Sequence, residues 1–193
     1  MSMYYVEITL LPDIETPLNF LLGKVFHAIH HRLVELQDSD KTVAIGLSFP
    51  EYKISPAWLG GKIRLFANDD KLLDSFNVKK ALHIYSDYVH LTSIRRVPDD
   101  ADVYVRYRRY QPMNNAESLA RRRAKREGIS YEQAIARYAQ FSREQCPFPF
   151  IKMKSDSTNE SYSLFIRKDK ATKDEVFTFN TYGMSIKGTV PEF

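Results

Sequence analysis

The chain carries a single cysteine, Cys146, among 193 residues. That excludes an internal disulfide and fits a reducing compartment, so a cytoplasmic location is expected. Long apolar runs are also missing. The longest, from Leu18 to Ile29, is broken by Asn19, Gly23, Lys24 and His27, and is too short and too polar to span a bilayer. The opening MSMYYVEITL has no basic stretch leading into an apolar one, so no signal peptide is expected. No Gly-rich phosphate loop, G-x-S-x-G elbow or H-E-x-x-H pattern occurs. With no cysteine partner for the histidines, a metalloenzyme or an NTPase is disfavoured. The expectation is no cofactor, no metal site and no membrane partner.

What is present is ordinary in amount and unusual in placement. Hydrophobic residues make up 44% and charged residues 27%, enough apolar material for a real core. The sequence pI near 9.0 favours an anionic partner. The positive charge is focused between Val103 and Arg126, VYVRYRRYQPMNNAESLARRRAKR. Eight cations there stand against the single acid Glu117, a net of +7 in a chain whose total is +4. Arg106, Arg108 and Arg109 are interleaved with Tyr104, Tyr107 and Tyr110, which pairs phosphate-binding charge with rings available for stacking.

Hydrophobic periodicity divides the chain. Tyr4 to Leu11 alternates as a half-buried strand. Leu18, Leu22, Val25, Ile29, Leu33 and Leu36 form one helical stripe. Lys41 to Phe49 reads as a second strand ended by Pro50, and Lys62 to Ala67 as a third. Asn68 is the expected cap of a second helix reaching Phe76. Asp87 to Val97 completes the set. Strand, helix, strand, strand, helix, strand is the split βαβ, or ferredoxin-like, order, one common use of which is RNA binding. Pro98-Asp99-Asp100 marks the expected boundary between a domain of residues 1–97 and a second of residues 98–193.

The second domain should be α+β. Tyr104 to Tyr110 is extended. Asn114 or Asn115 caps a helix that Gly128 ends near Glu127. Its wheel puts Arg121, Arg122, Lys125 and Arg126 on one arc, opposite Ala116, Ala120 and Ala124. Ser130 and Gln133 make a capping box for a helix from Tyr131 to about Phe141. Phe148 to Lys154, Ser161 to Lys168 and Glu175 to Thr181 read as strands, and the terminal TYGMSIKGTVPEF as loop and tail.

Two candidate sites emerge. The arginine-rich helix is either a solvated charged face or an anion-binding face, and nucleic acid is the favoured anion. Among the histidines of the first helix, His27 and His31 fall nearly opposite Ile29, while His30 lies about 100° from it, on the shoulder of the stripe. A half-buried histidine held in one rotamer suits general acid–base work. A packed or surface histidine is the commoner meaning of such a position. The Ser155-Asp156-Ser157-Thr158 loop reads as a polar hairpin, with hydroxyls able to hold a ribose or phosphate.

Several segments in order carry a resemblance over the whole chain: YYVEITLLPD, FHAIHHRLV, IGLSFP, the R-x-Q-x(3)-N-x-E-x-L-x-R-R stretch from Arg109, KSDSTNESYSLFIR and YGMSIKGTVPEF. The chain resembles the type I-F CRISPR repeat-RNA processing endoribonucleases. The resemblance implies an N-terminal ferredoxin-like domain and a second domain whose arginine-rich helix lies in the major groove of a repeat hairpin. It implies metal-independent cleavage on the 3′ side of the stem. A ribose 2′-OH attacks the adjacent phosphate, giving a 2′,3′-cyclic phosphate and a 5′-OH. The crRNA is retained, with the other subunits of the type I-F interference complex as partners. Carried onto this sequence, the catalytic histidine falls on His30, with His27 and His31 as neighbours one slip away. The ribose-constraining serine falls on Ser155, a second serine on Ser157, and the tyrosine near the histidine on Tyr182. Base reading falls on Arg109 and Gln111. Phosphate contact falls on Arg122, Lys125 and Arg126, with Arg121 beside them. Lys125 stands where an arginine is expected, which puts a bidentate contact there in question. Tyr162 stands where a stacking Phe is expected, and stacking survives that change. The rival reading is a non-catalytic subunit that holds an RNA hairpin.

Overall fold

The computed structural model describes residues 3–112, 116–138, 146–156, 158–174 and 176–193. In chain order the elements are β1 (Tyr4–Leu10), α1 (Leu18–Glu35), β2 (Thr42–Val43), β3 (Gly46–Ser48), β4 (Lys62–Ala67), α2 (Asp70–Phe76), α3 (Val78–Ala81), a 3-10 turn (His83–Tyr88), β5 (Val89–Leu91), β6 (Arg95–Arg96), β7 (Tyr104–Tyr110), α4 (Ala116–Glu127), α5 (Tyr131–Ala136), β8 (Phe150–Lys154), β9 (Ser161–Ala171), β10 (Phe179–Asn180) and β11 (Val190–Pro191). The protein is of mixed α+β architecture. Two compact units are present: residues 1–110 with 148–193, and residues 111–147. The sequence boundary at 97/98 falls inside the first unit.

In the first unit β1 lies between β4 and β5, with β3 beyond β4, and every neighbouring pair is antiparallel. The short β6 also pairs with β1. A second sheet runs β11-β7-β9-β8, and β10 pairs with β2. The alternation of β1 buries Val6, Ile8 and Leu10, while α1 buries Leu22, Val25, Phe26, Ile29 and Leu33. These residues join Val105, Tyr107, Ile151, Met153, Leu164 and Ile166 of the second sheet in one apolar cluster. At Gly23 a Cβ would come within 3.1 Å of the Lys152 carbonyl, so glycine lets α1 approach β8 closely.

Several expectations change in detail. The second strand divides into β2 and β3, and the fourth into the 3-10 turn, β5 and β6. Asp69, not Asn68, caps α2, its carboxylate accepting from the Lys71 N–H at 3.0 Å. Within the strand expected from Glu175 to Thr181, the described residues 176–181 contribute the two residues of β10. Tyr107 is not a ring available for stacking: it is 2% exposed, and its hydroxyl donates to the Phe49 carbonyl at 3.0 Å. The period-2 alternation of β7 gives the reason, since Tyr107 shares its inward face with Val105.

The second unit holds α4 and α5. Gly128, with φ +64°, ends α4, and Ser130 with Gln133 forms the full capping box of α5 at 3.1 and 3.2 Å. Ala120 and Ala134 are buried. The Asn114 and Asn115 caps lie outside the described residues, and α5 ends at Ala136 with Arg137 as its C-cap, short of the expected Phe141.

Candidate active site and nucleic-acid interface

The candidate site starts from a turn. Gly183 has φ +67°, and a Cβ there would meet the Leu47 side chain at 2.5 Å. Glycine therefore answers both a backbone and a space requirement. Its N–H donates to the Asn180 carbonyl at 2.8 Å, and its carbonyl accepts from Leu47 at 2.8 Å. The Asn180 side chain accepts from the N–H groups of Tyr182 (2.9 Å) and Met184 (3.2 Å). This bracing fixes Thr181 and Tyr182 against α1.

His30 meets both residues. Its Nδ1 lies 2.7 Å from the Thr181 carbonyl oxygen, which can only accept, so Nδ1 carries the proton. In the neutral ring Nε2 then holds a lone pair. The ring stacks on Tyr182 with centroids 4.1 Å apart and planes 8° from parallel. Burial pushes the His30 pKa below its ordinary value, aided by the adjacent charges of His31 and His27. The hydrogen bond to Thr181 and the Asp156 carboxylate act the other way. The net result favours a neutral imidazole with a free acceptor nitrogen, the form a general base needs.

The contacts continue outward. The Tyr182 and Tyr162 hydroxyls lie 2.8 Å apart, and the Arg109 guanidinium sits 5.8 Å above the Tyr162 ring. Burial, reinforced by the neighbouring Tyr182, raises the Tyr162 phenol well above its usual range, so the Tyr162 hydroxyl keeps its proton. His30, Tyr182, Tyr162 and Arg109 thus form one connected series. On the far side of α1, the Lys154 carbonyl is 3.3 Å from His27 Nε2, and Asp156 faces His27 and His31. Ser155 lies between those two contacts in sequence. Its Oγ accepts from the Thr158 N–H at 3.3 Å, a hydroxyl turn that shapes the β8–β9 loop. Ser157 lies outside the described residues.

In the expected base-reading segment Arg109 and Gln111 are both exposed. Arg106 is committed to the fold through a fork to Asp174, at 2.5 and 2.7 Å from one nitrogen and 3.2 Å from Nε. In the second unit Arg121, Arg122, Lys125 and Arg126 are all exposed, as the wheel predicts. Arg126 shares Glu127 at 3.3 Å, and Arg121 lies 4.0 Å from Glu117. Such exposed pairs hold a cation weakly, leaving it available to a phosphate.

The sequence reading missed Thr181, Asn180, Gly183 and Asp156. The first three sit in NTYG, whose Asn and Gly are turn-forming residues and were the available signal. Asp156 had none beyond its place in a polar loop.

The family model described as CRISPR-associated protein (Cas_Csy4) matches residues 5–193. The chain belongs to this family. A "CRISPR-associated endonuclease Cas6/Csy4" of Escherichia coli (strain UTI89 / UPEC) is 32% identical over 193 residues, covering 98% of this chain and 99% of the relative. Its counterpart of the same name from Pseudomonas aeruginosa (strain UCBPP-PA14) is 32% identical over 192 residues, with coverage of 98% and 99%. A solved "CRISPR associated protein Cas6" aligns with 100% of this chain and 99% of its own at 12% identity, with a TM-score of 0.32, too low to bear on the fold. The resemblance to type I-F repeat-RNA processing endoribonucleases is borne out. Among the described residues no helix is long and apolar enough to cross a membrane.

Proposed function

We propose that the protein is a metal-independent endoribonuclease that binds the stem-loop of CRISPR repeat RNA and cuts on the 3′ side of the stem. The carrying observation is the His30 geometry: Nδ1–H tied to the Thr181 carbonyl, the ring stacked on Tyr182, and burial favouring the neutral form. His30 Nε2 takes the proton of the 2′-OH upstream of the cut. The resulting oxygen attacks the adjacent phosphorus, the bond to the 5′-oxygen breaks, and that oxygen takes a proton from solvent, to which His30 returns the one it took. The products are a 2′,3′-cyclic phosphate and a 5′-OH. No external nucleophile is consumed, so no metal-activated water is required.

Ser155 constrains the ribose for in-line attack, an orientation contribution, and Ser157 assists the same contact. Tyr182 holds the His30 plane. Arg109 and Gln111 read purine edges at the base of the stem, and Tyr162 stacks under its closing pair. Arg121, Arg122, Lys125 and Arg126 grip phosphates along the major groove, where side chains otherwise have poor access to duplex RNA. The strand order β3-β4-β1-β5 with antiparallel neighbours supports a ferredoxin-like N-terminal domain of residues 1–97. Residues 98–193 form the RNA-binding domain. The crRNA is kept after cleavage in the cytoplasm and passed into the type I-F interference complex with its other subunits.

The test is a repeat stem-loop incubated with the protein in EDTA. Cutting is expected in wild type and is lost in His30→Ala, with hairpin binding kept by both. Tight binding of an uncut RNA by wild type would instead make the chain a non-catalytic hairpin holder. Full-rate cleavage by His30→Ala would refute the site assignment.

A further inference from the structure

One cluster is left unused by that chemistry. His27 and His31 are one helical turn apart on α1, with rings 4.4 Å apart at 75°. Side chains at this i, i+4 spacing project from the same helix face with Cβ atoms about 5–6 Å apart. Both Nε2 atoms face the Asp156 carboxylate of the β8–β9 loop, His27 at 3.7 Å from Oδ1 and His31 at 3.3 Å from Oδ2. The three donor atoms lie within 4.8 Å of one another. A charge-assisted hydrogen bond closes to about 2.7–2.9 Å. Donors held about 2.0–2.2 Å from a tetrahedral ion stand about 3.3–3.5 Å from each other. The two histidine–carboxylate separations, 3.7 and 3.3 Å, are long for the first arrangement and close to the second, and the whole set, within 4.8 Å, needs only a small side-chain contraction to close on an ion.

The donor chemistry narrows the ion. Two imidazoles with one carboxylate suit zinc and its neighbours among the divalent transition metals, whereas magnesium and calcium prefer all-oxygen sets. Three protein donors leave a fourth position for water. His31 and Asp156 are exposed, at 50% and 63% of their side-chain surface, so an ion has a path in.

We propose that His27, His31 and Asp156 form a binding site for a divalent transition-metal ion, Zn²⁺ in type. His27 and His31 bind as neutral rings through Nε2, each with its proton on Nδ1. His27 thereby exchanges its contact with the Lys154 carbonyl for the ion. No step of cleavage runs through the ion. Its effect is mechanical: it joins the loop that carries Ser155 to the helix that carries His30.

The experiment uses the full chain, stripped with chelator and dialysed, and titrated with Co²⁺. Wild type is expected to develop the visible absorption of a tetrahedral Co²⁺ site, saturating at one equivalent and displaced by Zn²⁺. His31→Ala and Asp156→Asn should each weaken binding by at least about tenfold, comparable to or beyond the loss of a supporting shell residue. His83→Ala, which removes a histidine outside the cluster, should leave it unchanged. Circular dichroism checks that each variant is folded. Absence of a saturable Co²⁺ band in wild type overturns the proposal, as does a band that survives both His31→Ala and Asp156→Asn. The readout needs no RNA, so its failure leaves the cleavage assignment intact and the reverse also holds.

Discussion

His30 is held by two contacts of different kinds, and each makes its own prediction. The Thr181 carbonyl selects the tautomer, and the Tyr182 face fixes the plane. Replacing His30 with alanine should lower the single-turnover cleavage rate by roughly 10²–10⁴-fold, the usual worth of a general base, with hairpin Kd changed by less than about threefold. The pH dependence follows from burial. The folded pKa lies below the ordinary 6.5, so the ring becomes protonated only at more acidic pH. In EDTA the rate should hold through neutrality and fall as pH drops through that lowered value. Stability shares the sign. The unfolded ring takes up its proton first, so this group's stabilising effect is complete above about pH 6.5 and is lost as pH falls below it. Tyr162→Phe keeps a ring for stacking and removes the hydroxyl pair with Tyr182. One neutral hydrogen bond is worth about 1 kcal/mol, so cleavage should slow by about fivefold in single-turnover kinetics while hairpin affinity changes little. Position on the apolar stripe made His30 visible in the sequence as a shoulder residue. That position set His30 apart from His27 and His31 but could not mark it as reactive, because the contact that orients it comes from Thr181, 151 residues away.

At the scale of elements, the 180–184 turn does more than join β10 to the tail. Its glycine requires positive φ and has no room for a Cβ beside Leu47. Gly183→Ala should lower the melting temperature, since strain of about 1 kcal/mol adds to the clash. It should also lower the cleavage rate by displacing the Thr181 carbonyl. Thermal denaturation beside single-turnover kinetics checks both effects. Periodicity made β1 and β4 legible, β7 read only as extended, and the cap and stop residues of α4 and α5 marked their junction at Gly128. Short elements were not. β2, β3, β5 and β6 are two or three residues each, below the length at which periodicity speaks, and pairing with a neighbour defines them. A different limit applies to β7, where charge drew attention to the whole basic strand. Arg106 and Tyr107 serve the fold through Asp174 and Phe49, leaving Arg109 exposed at its end.

For the whole molecule, the +7 segment resolves into parts that belong to different units. The β7 portion is built into the large unit, and α4 stands in residues 111–147. If α4 grips phosphate, Arg122→Ala should weaken binding to all stem sequences alike and flatten the dependence of log K on log salt by about 1. Cleavage at saturating protein should be kept. Arg109→Ala should instead relax discrimination at the stem base. Electrophoretic binding across salt and across stem variants separates the two. The central claim is that the RNA supplies its own nucleophile and His30 activates it. The direct measurement is cleavage, in EDTA, of a repeat hairpin bearing a single 2′-deoxy nucleotide immediately upstream of the cut. This RNA should bind as tightly as the unmodified hairpin and stay whole. Cleavage of the 2′-deoxy hairpin would contradict that claim.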